Sequence, residues 1–304
     1  MECLCKPTQK SCTAFVKSTD RHQAECLFLA ATMPNLTGYI NLGAENLHYI
    51  SWGTGKKLLL AFHGYNNNAQ IFQPFASYLD KEYTIISIDL PHHGKSEWPE
   101  HKQFDVTQLL QLVNILLKEH DVDKLSLAGY SMGGRVCLKI VELMSGKVDK
   151  VLLVAPDGLA FNPFYYFLTR TYVGSSIFRR FLTDPQRYMF LIEFARKQKW
   201  IDESRYKFAM QYLNTTDARS FLLRVWPGMS RLIPNAGRLR ATIQKHAIPI
   251  DIFMGSYDRI IPVSLAQRFR KELKTVQLHM LEKGHRVFDA DTLPEMTKCL
   301  LTSC

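Results

Sequence analysis

Nowhere in the 304 residues is there an uncharged apolar run of about 18 or more, so no segment is suited to crossing a bilayer as a helix. The longest apolar stretch near the start, Cys26 to Met33, is short, follows Glu25 and lacks a basic leader, which argues against a secretory signal. Cysteine is scarce and odd in number: seven thiols cannot all pair internally. Cys3, Cys5, Cys12 and Cys26 crowd the start without the Cys-x-x-Cys spacing of structural zinc sites, so no metal is expected. Reduced thiols in a cytoplasmic protein fit this usage best. Internal repeats and low-complexity tracts are also missing. The first 35 residues read as an N-terminal extension outside the fold, and Met33, just ahead of the first strand pattern, would serve as a natural start.

What is present is the material of a globular protein: 46% hydrophobic and 22% charged residues, enough to bury a large core. Leu36 to Leu42 and Leu47 to Trp52 predict a hairpin turned at Gly43-Ala44-Glu45-Asn46. Lys57 to Phe62, Tyr83 to Ile88, Lys124 to Ala128, Val148 to Val154, Pro249 to Met254 and Val276 to Leu281 are short, nearly continuous apolar runs. Runs of this kind suit parallel strands buried on both faces. Between them, apolar residues at helical spacing (Ile71, Phe72, Phe75, Leu79, then Leu109, Leu110, Val113, Leu116, Leu117) predict helices. Strands alternating with helices imply an α/β fold: a mostly parallel sheet with right-handed crossovers and helices on both faces. Residues 161–240 break this alternation with aromatic, basic, helix-like sequence. They read as a helical cap inserted between two strands of a core made of residues 36–160 and 241–304.

Gly129-Tyr130-Ser131-Met132-Gly133 directly follows one predicted strand and directly precedes a helix. A turn tight enough to lift a serine hydroxyl into the open leaves no room for side chains two residues before and after it, hence Gly129 and Gly133. The motif by itself is within reach of chance in a chain with 16 glycines; its position between strand and helix carries the inference. A serine hydroxyl is a poor nucleophile and needs a base, itself held by a carboxylate. Asp258 follows the penultimate strand in Gly255-Ser256-Tyr257-Asp258, and His285 follows the last one in Lys283-Gly284-His285-Arg286. Asp157, after the preceding strand, is the rival acid. Acyl chemistry further needs donors for an oxyanion: the backbone N–H of Met132, at the helix start, and that of Tyr65, where Gly64 lets the chain turn after the strand ending at Phe62.

Together these residues resemble the α/β-hydrolase superfamily, in its capped branch with a serine nucleophile, over residues 36 to 301. Asp89-Leu90-Pro91-His92-His93-Gly94-Lys95-Ser96 is similar to a loop of that family, with His92 where glycine is commoner, and is expected to be structural. The resemblance implies a serine hydrolase acting on a carboxylic ester or related acyl bond without metal or cofactor. Serine at the elbow sets the chain apart from the haloalkane dehalogenase and epoxide hydrolase branches. Acyl transfer or perhydrolysis on the same triad, and a non-catalytic ligand receptor on the same fold, are the alternatives.

Charge is unevenly spread. Between Phe161 and His246 there are 15 Lys and Arg against 5 Asp and Glu, and the rest of the chain is balanced. The expected partner is a small-molecule acyl substrate, hydrophobic or anionic. The basic residues are expected to be solvated helix faces, with nucleic-acid binding unsupported by any motif and contact with an acidic membrane surface the lesser expectation. The aromatic run Phe161-Asn162-Pro163-Phe164-Tyr165-Tyr166-Phe167-Leu168 is expected either to line an acyl pocket or to form the core of the cap.

Overall fold

The computed structural model describes residues 35–302 except 201, 202, 204, 205, 207–209 and 211. The four N-terminal cysteines and Met33 lie outside the described residues.

Eight strands form one sheet in the order β1-β2-β4-β3-β5-β6-β7-β8. Strands β1 (Leu36–Asn41) and β2 (Asn46–Trp52) are the expected hairpin. They join the sheet antiparallel, with β2 against β4 (Tyr83–Ile88). From there every pairing is parallel, through β3 (Lys57–Phe62), β5 (Leu125–Tyr130), β6 (Val148–Val154), β7 (Ile250–Gly255) and β8 (Val276–Leu281). The continuous apolar runs are explained by the two faces they serve. Leu58, Leu60 and Phe62 enter one buried cluster while Leu59 and Ala61 enter the other, and Leu153 and Val154 of β6 divide in the same way.

Helices cover both faces. α1 (Gln73–Leu79) packs Phe75 and Leu79 into one cluster; α2 (Val106–Glu119) packs Leu109 and Val113 into the other, and α3 (Met132–Met144) adds Val136 and Ile140 there. α2 is fixed at its start by a capping box, in which the Asp105 carboxylate accepts the Gln108 N–H and the Gln108 side chain accepts the Asp105 N–H. Between β6 and β7 the chain makes α4 (Pro163–Arg170), α5 (Tyr172–Thr183), α6 (Met189–Lys197) and α7 (Thr216–Gly228). This insertion has a small core of its own in Leu168, Phe178, Leu182, Leu213 and Leu222. The chain rejoins the main core ahead of residue 240: Met229 and Leu232 are buried in it, and α8 (Ala236–His246) packs Leu239 and Ile243 there. Two further helices, α9 (Val263–Arg270) and α10 (Leu293–Leu301), complete the layers. Among the described residues, no helix is long and apolar enough to cross a membrane.

Candidate active site

The carboxyl ends of β5, β7 and β8 converge on one spot. Ser131 is the residue between β5 and α3, with φ of 50° and ψ of −114°, a left-handed conformation that side chains rarely adopt. It is held there from both sides: its N–H donates to the Val154 carbonyl at 2.9 Å, and its own carbonyl accepts the N–H of Gly134 and Asp157, each at 2.9 Å. The glycines around it are sterically required. A Cβ at Gly129 would come within 2.7 Å of Cys137 Sγ and the Gly133 carbonyl oxygen, and one at Gly133 would fall on the Phe62 carbonyl.

His285 lies in the loop after β8, its Nε2 3.0 Å from Ser131 Oγ and its Nδ1 2.7 Å from Asp258 Oδ2. Asp258 is fully buried at its carboxylate, where Oδ1 accepts the backbone N–H of Ile260 at 2.8 Å and of Ile261 at 2.9 Å. A carboxylate acceptor makes Nδ1 the donor, which leaves Nε2 free to accept from the serine hydroxyl. The two loops are locked to each other. Ser256 N–H donates to the Leu281 carbonyl at 2.7 Å and Tyr257 N–H to Lys283 at 2.9 Å, and a Cβ at Gly255 would fall on the Gly284 carbonyl. Tyr130, next to the serine, lies 5.7 Å from the imidazole ring and donates its hydroxyl to the His285 carbonyl at 3.3 Å. Burial pushes that phenol up to about 12, so it stays a donor. No local pattern signals this brace, because nothing short-range links residue 130 to residue 285. Asp157 faces elsewhere, its carboxylate 3.4 Å from Arg135 Nη1.

Met132 is the first residue of α3, so its N–H has no partner within the helix. Gly64 packs against Tyr130 and Ser131, where an added Cβ would stand 3.1 Å from the serine Cβ. This brings the backbone that leads into Tyr65 beside the elbow. The Tyr65 ring meets Tyr212 and Phe221 of the insertion, each at 5.1 Å between centroids, and its buried hydroxyl has no hydrogen-bond partner among the described residues.

The loops behind the site are held by buried, neutral histidines. His63 donates Nδ1–H to the Gly64 carbonyl at 2.7 Å and accepts the Leu90 N–H on Nε2 at 2.9 Å, and burial pulls it down to about 4. His93 donates to the Pro91 carbonyl at 2.9 Å and accepts from Asn66 N–H at 3.3 Å; burial, then neighbouring His63, lowers it to about 3. Asp89 gathers the rest, accepting from Ala69 N–H at 2.6 Å, Lys95 N–H at 2.9 Å and His48 Nδ1 at 2.8 Å. The Asp89 to Ser96 loop is thus a hydrogen-bonded knot, as its pattern suggested. A cavity of about 620 Å³ lies apart from these groups, between residues 100–103 and helices α5 and α7. Its walls include Arg179 and Arg224 but neither Ser131, Asp258 nor His285.

A parallel sheet with an antiparallel first edge, a strained serine at the end of its central strand and an acid and a histidine after two later strands define an α/β hydrolase. Residues 57–290 match the family model of the alpha/beta hydrolase fold, and the chain belongs to that family. It is 26% identical over 249 residues to an uncharacterized hydrolase, YugF, of Bacillus subtilis (strain 168), across 80% of this chain and 88% of the relative. To a pimeloyl-(acyl-carrier protein) methyl ester esterase of Legionella pneumophila (strain Corby) it is 39% identical over 89 residues, which span 29% of this chain and only 33% of that enzyme. Among solved structures, MGS-M2, an alpha/beta hydrolase enzyme from a Medee basin deep-sea metagenome library, is similar with a TM-score of 0.64 at 12% identity. That likeness covers 88% of this chain and 98% of the other.

Proposed function

We propose that the protein is a serine hydrolase that cleaves a carboxylic ester or a related acyl bond through an acyl-enzyme. The observation that carries this reading is the relay Ser131 Oγ, His285 Nε2 at 3.0 Å, His285 Nδ1 to Asp258 at 2.7 Å. In the proposed reaction Ser131 Oγ attacks the acyl carbonyl while His285 Nε2 takes its proton, and Asp258 supports the imidazolium. The N–H groups of Met132 and Tyr65 hold the oxyanion. The imidazolium returns its proton to the leaving alkoxide. Water, deprotonated by His285, then attacks the acyl carbon, the bond from that carbon to Ser131 Oγ breaks, the imidazolium returns the proton to Oγ and the carboxylic acid leaves. The Legionella relative's methyl ester chemistry supports an ester as the bond cleaved.

The insertion covers Tyr65 and so stands over one side of the site, which supports a role as a cap that selects substrate. A fluorophosphonate probe should label the protein at Ser131, and Ser131→Ala should abolish both the label and the hydrolysis of p-nitrophenyl esters. Equal labelling or turnover of the variant would overturn the proposal, and a protein that binds small molecules without labelling would be a receptor on this fold. Added alcohol or peroxide would divert the acyl group in a transferase or perhydrolase, which product ratios read directly.

A further inference from the structure

The aromatic run at the start of the insertion divides in an unexpected way. Tyr165 and Leu168 point inward, with the Tyr165 hydroxyl donating to the Trp226 carbonyl at 2.8 Å, but Phe161, Phe164, Tyr166 and Phe167 are exposed. They are not alone. Of the 17 large hydrophobic side chains exposed among the described residues, 11 fall between residues 161 and 200, so the apolar surface belongs to α4, α5, α6 and their flanks. Tyr172 is 90% exposed, Trp200 72%, Phe190 67% and Phe164 65%. Helix α5 buries Gly174, Phe178 and Leu182 and leaves Val173 and Ile177 outside. Helix α6 buries none of its residues although it carries Phe190, Leu191 and Phe194, three apolar side chains on one side at helical spacing. These groups are what remains after the insertion has built its own core, and concentrated apolar surface of this kind marks an interaction site.

Charge decides among the occupants. Residues 161–200 hold seven Lys and Arg against two acids, Asp184 and Glu193, and Glu193 is already paired with Arg196 at 3.5 Å. Arg179, Arg180, Arg187, Lys197 and Lys199 are exposed in the same stretch of chain as the exposed aromatic residues. A second copy would bring the same positive excess against itself. Residues 1–34, with four basic and three acidic side chains, bring no compensating charge. Exposed aromatics interleaved with cations and nearly free of acids suit the interface of a bilayer with an anionic surface, where rings sit at headgroup depth and cations meet lipid phosphates.

We propose that the α4 to α6 face is a membrane-docking surface that seats the protein on anionic bilayers. The proposal is independent of the reaction at Ser131. It revises the expectation that the basic residues are merely solvated, because the sequence did not disclose that the aromatic residues between them stay outside. The test is flotation of the full-length protein with vesicles of phosphatidylcholine alone or of phosphatidylcholine with phosphatidylglycerol. Binding should be about tenfold stronger to the anionic vesicles and should weaken as salt shortens the electrostatic range. Phe190→Ser combined with Phe194→Ser should lower binding about tenfold with Tm and fluorophosphonate labelling unchanged, since both rings are exposed. Tyr172→Ser with Trp200→Ser is the second pair should the first not fold. Absence of flotation, or flotation indifferent to both apolar pairs, would overturn the proposal. So would a dimer on size-exclusion chromatography that either pair dissolves without vesicle binding by the parent, which would assign the face to a second copy.

Discussion

Replacing Asp258 by Asn separates the role of this acid from that of its rival, and the structure fixes how. The two carboxylate oxygens have different duties: Oδ1 accepts the Ile260 and Ile261 N–H groups, and Oδ2 accepts from His285. Asparagine keeps one acceptor. Two buried backbone donors compete for it against one imidazole, and leaving two donors unpaired costs more than leaving one. The carbonyl oxygen therefore turns to the backbone and the NH2 faces Nδ1, which must now accept. The proton moves to Nε2, which can then only donate toward Ser131 Oγ, and the base is lost although the ring has not moved. An imidazole held in the wrong tautomer lowers kcat about 10⁴-fold in serine peptidases, or about 5.5 kcal/mol of barrier. We expect that order of loss in p-nitrophenyl acetate hydrolysis, a parallel loss in fluorophosphonate labelling rate, and a Tm within a few degrees of the parent. Asp157→Asn is the control. Its carboxylate is 42% exposed and pairs with Arg135 at 3.4 Å, so its loss should change kcat by no more than about threefold. An Asp258→Asn variant that keeps more than about a tenth of the parent activity, or an Asp157→Asn variant that falls as far, would overturn this assignment of the acid.

Acid should unfold the protein through its buried histidines. His63 titrates near 4 when folded against 6.5 when unfolded, and His93 near 3, so both states are neutral above about 6.5 and the unfolded chain binds the extra protons below it. Their stabilising contribution is complete above the unfolded value and is lost as pH falls toward 4 for His63 and toward 3 for His93. For His63 this amounts to roughly 3 kcal/mol at 1.36 kcal/mol per unit, visible as a Tm that declines from pH 7 to pH 4; a flat profile over that range would contradict it. Tyr65→Phe removes a buried hydroxyl that has no partner among the described residues, so the variant should gain about 1 kcal/mol in denaturant unfolding. Because the proposed oxyanion donor is the Tyr65 backbone, kcat should stay within about threefold; a large fall would instead place the phenol itself in the reaction. Gly133→Ala puts a methyl group on the Phe62 carbonyl, and backbone displacement at the elbow should cost about 1–3 kcal/mol or more together with most of the activity, read by calorimetry and turnover.

Much of this molecule is written locally. The apolar runs of β3 to β7 are two-sided because both sheet faces are covered, and that pattern is visible residue by residue, whereas β8 at the sheet edge leaves Gln277 and Met280 exposed. The Gly129 to Gly133 elbow is equally local, since a tight turn needs small residues within two positions of the serine. Asp258 and His285 were legible by their order after successive strands. Other features were not. Helices α9 and α10 are short, and their patterns stand out poorly against neighbouring loops. The choice between Asp258 and Asp157 depends on which carboxylate meets an imidazole across the sheet edge, a contact between residues 27 apart that no local pattern encodes. The Tyr130 brace on His285 and the contact of Gly255 with Gly284 are likewise long-range.

Backbone sterics and residue period within a short window suffice for the order of the site residues along the strands, the strained turn and the segment that carries the charge. Which side of the insertion its aromatics occupy depends on long-range packing. Helical spacing says that side chains share a face but not whether that face meets a neighbour or solvent. In this chain the insertion closes its core with Leu168, Phe178, Leu182, Leu213 and Leu222 and leaves Phe164, Tyr172 and Phe190 outside.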